Sequence, residues 1–85
     1  MTANVTFVTK PNCELCETGL TNVQRAAKWL RVEVRVADIG SDDDRYGQYA
    51  ERLPVVLPGG GAPLLEGDFG LTDALAALAK FRIGV

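Results

Sequence analysis

Eighty-five residues suffice for one small domain and leave no room for a second. At 47% hydrophobic and 24% charged the chain has a globular composition, and its formal net charge of −2 argues against nucleic acid or an anionic membrane as partner. Histidine is absent, which removes Ser–His–Asp and Cys–His catalysis and every histidine metal ligand.

Met1-Thr2-Ala3-Asn4 has neither the basic start nor the apolar run of a secretory signal. No apolar stretch nears the ~20 residues that span a bilayer, so the cytoplasm is the expected compartment. Residues 4–9 are mostly β-branched or aromatic and carry no charge, the pattern of a buried strand. Lys10-Pro11-Asn12 interrupts it, because proline fixes its own φ and restricts the residue before it. Over residues 13–31 the period turns helical. Leu20, Val23, Ala27 and Leu30 form the apolar side, with Gln24, Arg25, Lys28 and Arg31 opposite. Gly19 costs that helix up to about 1 kcal/mol relative to alanine, which points to close packing against the sheet. Trp29, among apolar neighbours, is expected to be part of the core.

Residues 32–36 alternate as a strand with one buried face. In Ser41-Asp42-Asp43-Asp44, Ser41 is expected to cap a short helix over residues 45–52, with the acids at the favourable end of its dipole. A cation site fits less well, since adjacent carboxylates on a helix point in different directions. Tyr46 and Tyr49, three apart, would anchor that helix. Residues 53–57 form a strand with Pro54 at its entrance, and Pro58-Gly59-Gly60-Gly61 turns the chain. No Gly-Lys-Ser/Thr follows, so these glycines are no phosphate cradle. Residues 62–66 return as the second arm of a hairpin, which Gly67-Asp68-Phe69-Gly70 closes, with Phe69 expected in the core. Thr72 or Asp73 is expected to cap a last helix with Leu75, Leu78, Ala79 and Phe81 on its buried stripe. The order β-α-β-α-β-β-α predicts an α/β fold: a mixed four-stranded sheet with helices on both faces.

Both cysteines fall in Cys13-Glu14-Leu15-Cys16. A bridge of this spacing staples almost nothing, and no further Cys or His exists to complete a four-ligand zinc site, so no metal is expected. A reversible dithiol remains. Residues three apart on a helix share a face, so Cys16 lies within reach of Cys13. If the helix starts near Cys13, its free N–H groups and dipole stabilise a thiolate there. Cys13 is then the attacking sulfur, and Cys16, one turn deeper, the resolving one. A C-x-x-C beside a βαβ unit is a thioredoxin-like redox motif.

Thr9-Lys10-Pro11-Asn12-Cys13-Glu14-Leu15-Cys16 resembles the active-site approach of the glutaredoxins. Tyr46-Gly47-Gln48-Tyr49-Ala50-Glu51-Arg52-Leu53-Pro54-Val55-Val56 resembles their approach to the third strand. The similarity runs over residues 5–78 and is closer still to a group of small bacterial glutaredoxin-like proteins. It implies a thioredoxin-like three-layer sandwich, catalysis of thiol–disulfide exchange, and a cis Pro54 facing the dithiol. The main chain of Leu53 would pair with an extended thiol peptide as an added strand does. Two departures bear on the substrate. Val8 stands where glutaredoxins usually carry tyrosine, and of their glutathione-holding segment only Gly67-Asp68 and Thr72-Asp73 remain, a partial carboxylate site at a helix N-terminus. Lys10 is left as the cation for a substrate carboxylate, with a solvated strand-end lysine as the alternative. Glu14 and Glu17 add negative charge beside the dithiol, which opposes the helix dipole and makes Cys13 less acidic.

The expected protein is therefore a monomeric, cytoplasmic oxidoreductase with catalytic Cys13 and Cys16 and a substrate groove of Lys10, Leu53, Pro54, Gly67 and Asp68. Its partner is a disulfide-containing protein or small thiol. It holds no bound cofactor and draws electrons from an external thiol: glutathione, another low-molecular-weight thiol or a reductase. Two alternatives share the motif: a redox-sensing or interaction module without turnover, and a carrier in which two chains pool four thiolates around a metal or Fe–S cluster.

Overall fold

The computed structural model describes residues 3–39, 49, 51–59 and 62–83. Strand β1 (Ala3–Thr9) leads into helix α1 (Glu14–Leu30), strand β2 (Val32–Asp38), strands β3 (Val55–Leu57) and β4 (Leu65–Glu66), and helix α2 (Leu71–Ile83). The sheet order is β2-β1-β3-β4. β1 and β2 run parallel, as a helical crossover requires, while β3 is antiparallel to both β1 and β4. This is the mixed four-stranded α/β sheet expected from the sequence.

Side chains of β1 alternate between two clusters. Val5 and Phe7 enter the main core with Val32, Val56, Val23, Ala26 and Ala27 of α1, and Ala74 and Leu78 of α2. Both helices therefore pack on one face of the sheet. Val8 points to the other face and joins Val55, Leu57 and Leu53, with Ile39 and Tyr49 against them. Fully burying one such aliphatic or aromatic side chain contributes roughly 1.5–3 kcal/mol, so β1, shared by both clusters, is the spine of the domain.

Several boundaries differ from the sequence expectation. β3 omits Leu53 and Pro54, and β4 is two residues long, because Pro54 has no N–H for a ladder and little chain remains opposite β3. β2 runs on to Asp38, and Val36 is 48% exposed, so its apolar face is buried only toward the strand start. Helix α2 is capped by Gly70, not Thr72 or Asp73. Ala74 N–H bonds Gly70 O at 3.1 Å, and the Asp73 carboxylate reaches back to Gly70 N–H at 3.0 Å, a capping-box geometry. Trp29 is 84% exposed rather than part of the core. Val23, Ala26, Ala27 and Leu30 already fill the sheet-facing side of α1, and position 29 lies on its solvent side with Arg25. The cap at Ser41 and most of the short helix over 45–52 lie outside the described residues, and Tyr49 there has 3₁₀ geometry. Phe69 is core, as expected. Among the described residues no helix is long and apolar enough to cross a membrane.

Candidate active site

Asn12 and Cys13 turn the chain from β1 into α1. Asn12 takes φ 57°, a left-handed conformation that asparagine tolerates better than most residues. Cys13 follows as the N-cap, with φ −116° and ψ 102°. Its carbonyl receives Glu17 N–H at 3.1 Å, and its Sγ accepts from Cys16 N–H at 3.1 Å. The sulfur thus occupies the place where a serine or aspartate oxygen usually satisfies a free helix N–H. Cys13 and Cys16 are joined as a disulfide with Cα atoms 5.1 Å apart. Cys13 is half-buried, whereas Cys16 is 2% exposed among Val8, Leu53, Val55 and Leu57. Cys13 is thus the less buried of the pair, and Cys16 is sealed behind it.

The chain returns to this spot at Leu53-Pro54, whose peptide bond is cis. Leu53 packs in the same cluster as both cysteines, and the Pro54 ring lies fully buried over Gly19, one turn beyond Cys16. A Cβ on Gly19 would stand 2.9 Å from Pro54 Cγ and 3.4 Å from Phe69 Cζ. The glycine that weakens α1 thus seats the proline beside the dithiol. Gly67, at φ 69°, donates its N–H to both Pro54 O (2.8 Å) and Arg52 O (2.9 Å), which ties the loop before α2 to the same segment. Asn22 of α1 holds that loop from the other side, donating to Phe69 O at 3.4 Å.

Of the expected site residues, Cys13, Cys16, Leu53, Pro54 and Gly67 form one contiguous group. Asp68 is exposed beside Gly67, and Lys10 is exposed at the end of β1 and joins neither core cluster. In the partial carboxylate site the Asp73 side chain is already engaged, accepting from the N–H of Gly70, the residue that caps α2. Sequence reading did not identify the brace beneath Leu53. Arg52 pairs with Glu66 of β4 at 3.2 Å, a partner distant in sequence, and its guanidinium lies 5.5 Å from the ring centroid of the nearby Tyr49. No local motif announces such a pair.

The model of the glutaredoxin-like domain family (DUF836) matches residues 4–76. No curated protein sequence matches the chain. Among solved structures, a structural-genomics target protein from X. campestris superimposes with a TM-score of 0.73 at 21% identity, covering 89% of this chain and 96% of that one. Thioredoxin 1 from the thermophilic eubacterium Thermosipho africanus gives 0.68 at 15% identity, with 92% of each chain covered. Thioredoxin-2 of the malaria parasite gives 0.67 at 19% identity, covering 93% of this chain and 82% of that one. Likeness at these identities carries the thioredoxin-like fold.

Proposed function

The chain belongs to the glutaredoxin-like domain family (DUF836), and on that premise we propose that it is a thiol–disulfide oxidoreductase acting through Cys13 and Cys16. The observation that carries this reading is the N-cap placement of a half-buried Cys13, its sulfur receiving a helix N–H, with a buried Cys16 bonded to it.

In the reduced protein, the Cys13 thiolate attacks one sulfur of a substrate disulfide. That S–S bond breaks, a mixed disulfide forms at Cys13, and the departing thiolate takes up a proton. The Cys16 thiol loses its proton and attacks Cys13 Sγ, which closes the Cys13–Cys16 bond and releases the second substrate thiol. The substrate gains the two electrons that the dithiol gives up. An external thiol, glutathione or another small thiol or a reductase, then restores the dithiol by the reverse exchange. The same Cys16 N–H that bonds Cys13 Sγ stabilises the negative sulfur whenever Cys13 is the attacking or leaving group. Pro54 offers no N–H to compete for that sulfur, and a substrate peptide would pair with the main chain of Leu53, just before β3, as an added strand does. In this reading Lys10, Gly67 and Asp68 would supply the polar rim of the groove. The proposed setting is the cytoplasm.

The test is turnover. Reduced protein mixed with a model disulfide and a recycling reductant is expected to turn over many times, with activity abolished in Cys13→Ser. Cys16→Ser is expected to accumulate the substrate as a mixed disulfide on Cys13. A protein that reacts once and stops is a sensor, and that result overturns the enzymatic reading.

A further inference from the structure

The two ends of the sheet are unlike. β4 is a two-residue edge, whereas β2 is seven residues long and pairs over its full length with β1 on one side only. Among the described residues no strand pairs with its outer side. Over residues 32–36 such an edge turns main-chain donors and acceptors outward, and natural sheets usually cover, shorten or charge it.

The charges here are ordered. Glu33 and Arg35 are both exposed, and their partners on β1 are Asn4 and Thr6, so both project from the face opposite the helices. Neither makes an ion pair among the described residues. Val32, Val34 and Val36 project from the helix side, with Val36 48% exposed. Consider a second copy of this strand laid antiparallel about a two-fold axis through Val34. Residue 33 then faces residue 35 of the partner, and 35 faces 33, so Glu33 meets Arg35 twice. Val32 meets Val36 twice, which covers the exposed valine, and Val34 meets itself. Cross-strand pairs of opposite charge and of β-branched residues are the ones that stabilise an antiparallel ladder, and like charges in those places oppose it. A two-fold interface requires this self-complementarity.

We propose that the chain forms a symmetric dimer through its β2 edge, two sheets joining into one eight-stranded sheet with Glu33 and Arg35 as reciprocal partners, in place of the monomer expected from sequence. The site around Cys13 lies at the carboxyl end of β1 and does not enter the interface, so this inference stands apart from the exchange chemistry. A single strand pair buries less than a standard interface of roughly 1,200–2,000 Å², so the dimer is weak and its population depends on concentration.

Sedimentation equilibrium of the full chain, from micromolar to millimolar, tests this with a charge-swap set. Wild type is expected to shift from monomer to dimer with rising concentration and to lose dimer in high salt. Arg35→Glu and Glu33→Arg each place like charges opposite one another and are expected to weaken self-association by about tenfold or more. The doubly substituted Glu33→Arg/Arg35→Glu chain restores the pairing and the dimer. An equimolar mixture of the two single variants is expected to form a heterodimer, because each then supplies the charge the other lacks. A wild type that stays monomeric at millimolar concentration overturns the proposal. So does a dimer whose strength is unchanged in the single variants, since that dimer uses another surface. Circular dichroism of each variant separates loss of association from loss of fold.

Discussion

Gly19 is pulled in two directions. As a helix-interior residue it costs about 1 kcal/mol against alanine, yet an added methyl would press on Pro54 Cγ at 2.9 Å. The Pro54 ring is fully buried and cannot swing into solvent, so the contact is relieved only by moving the segment that carries Leu53. Overpacking of this kind typically costs about 1–3 kcal/mol, enough to cancel the gain in helix propensity and exceed it. Gly19→Ala is therefore expected to lower stability by up to about 2 kcal/mol in urea unfolding, although alanine is the better helix former. A variant more stable than wild type would mean that Pro54 moves freely. Glu14 and Glu17 are exposed in the first turn of α1, on the same stretch as the Cys13 cap. In the reduced protein their charge opposes ionisation of Cys13, and exposure keeps the effect small. Glu14→Gln is expected to lower the Cys13 pKa, raising the thiolate-to-thiol ratio by roughly twofold, as followed by ultraviolet absorbance of the thiolate against pH. An unchanged titration would place the carboxylate too far into solvent to matter.

At the level of whole elements, the α2 start shows what a sequence does and does not disclose. Thr72 and Asp73 are good capping residues, and the pattern correctly places a helix start beside them, but Gly70 holds the cap and Asp73 serves it from three residues on. Removing that carboxylate in Asp73→Ala is expected to cost about 0.5–1 kcal/mol, seen as a lower urea midpoint with unchanged slope. The strands and α1 were legible because their apolar periods are strong and proline or glycine punctuates their ends. Cys13 at the helix start was legible for the same reason, since Lys10-Pro11-Asn12 leaves little choice of where α1 begins. The shortness of β3 and β4 was not, because ladder length depends on what lies opposite. The Arg52–Glu66 pair and the seat of Pro54 over Gly19 were hidden too, as each joins residues whose proximity only the closed fold creates.

Taken as one molecule, the domain has little stability to spare. At roughly 0.05–0.15 kcal/mol per residue, a chain of this length holds about 4–13 kcal/mol in all. Phe7 is fully buried on the central part of β1, between α1 and the neighbouring strands. Phe7→Ala is expected to cost about 3–5 kcal/mol, a large share of that total, and to leave a partly unfolded protein at room temperature by circular dichroism. Trp29 gives the opposite expectation from an equally large side chain. Its ring is 84% exposed, so Trp29→Ala is expected to change stability by no more than about 0.5 kcal/mol. As the chain's single tryptophan, it also makes fluorescence a poor reporter of unfolding, with emission already that of a solvated indole in the folded state. A blue-shifted emission that moved to the red on denaturation would show the ring covered in solution. Size and apolarity alone do not rank these two residues. Their difference follows from which face of β1 the helices cover and which side of α1 turns to the sheet, and the same partition leaves Cys13 half-buried at the start of α1 with Cys16 sealed beneath it.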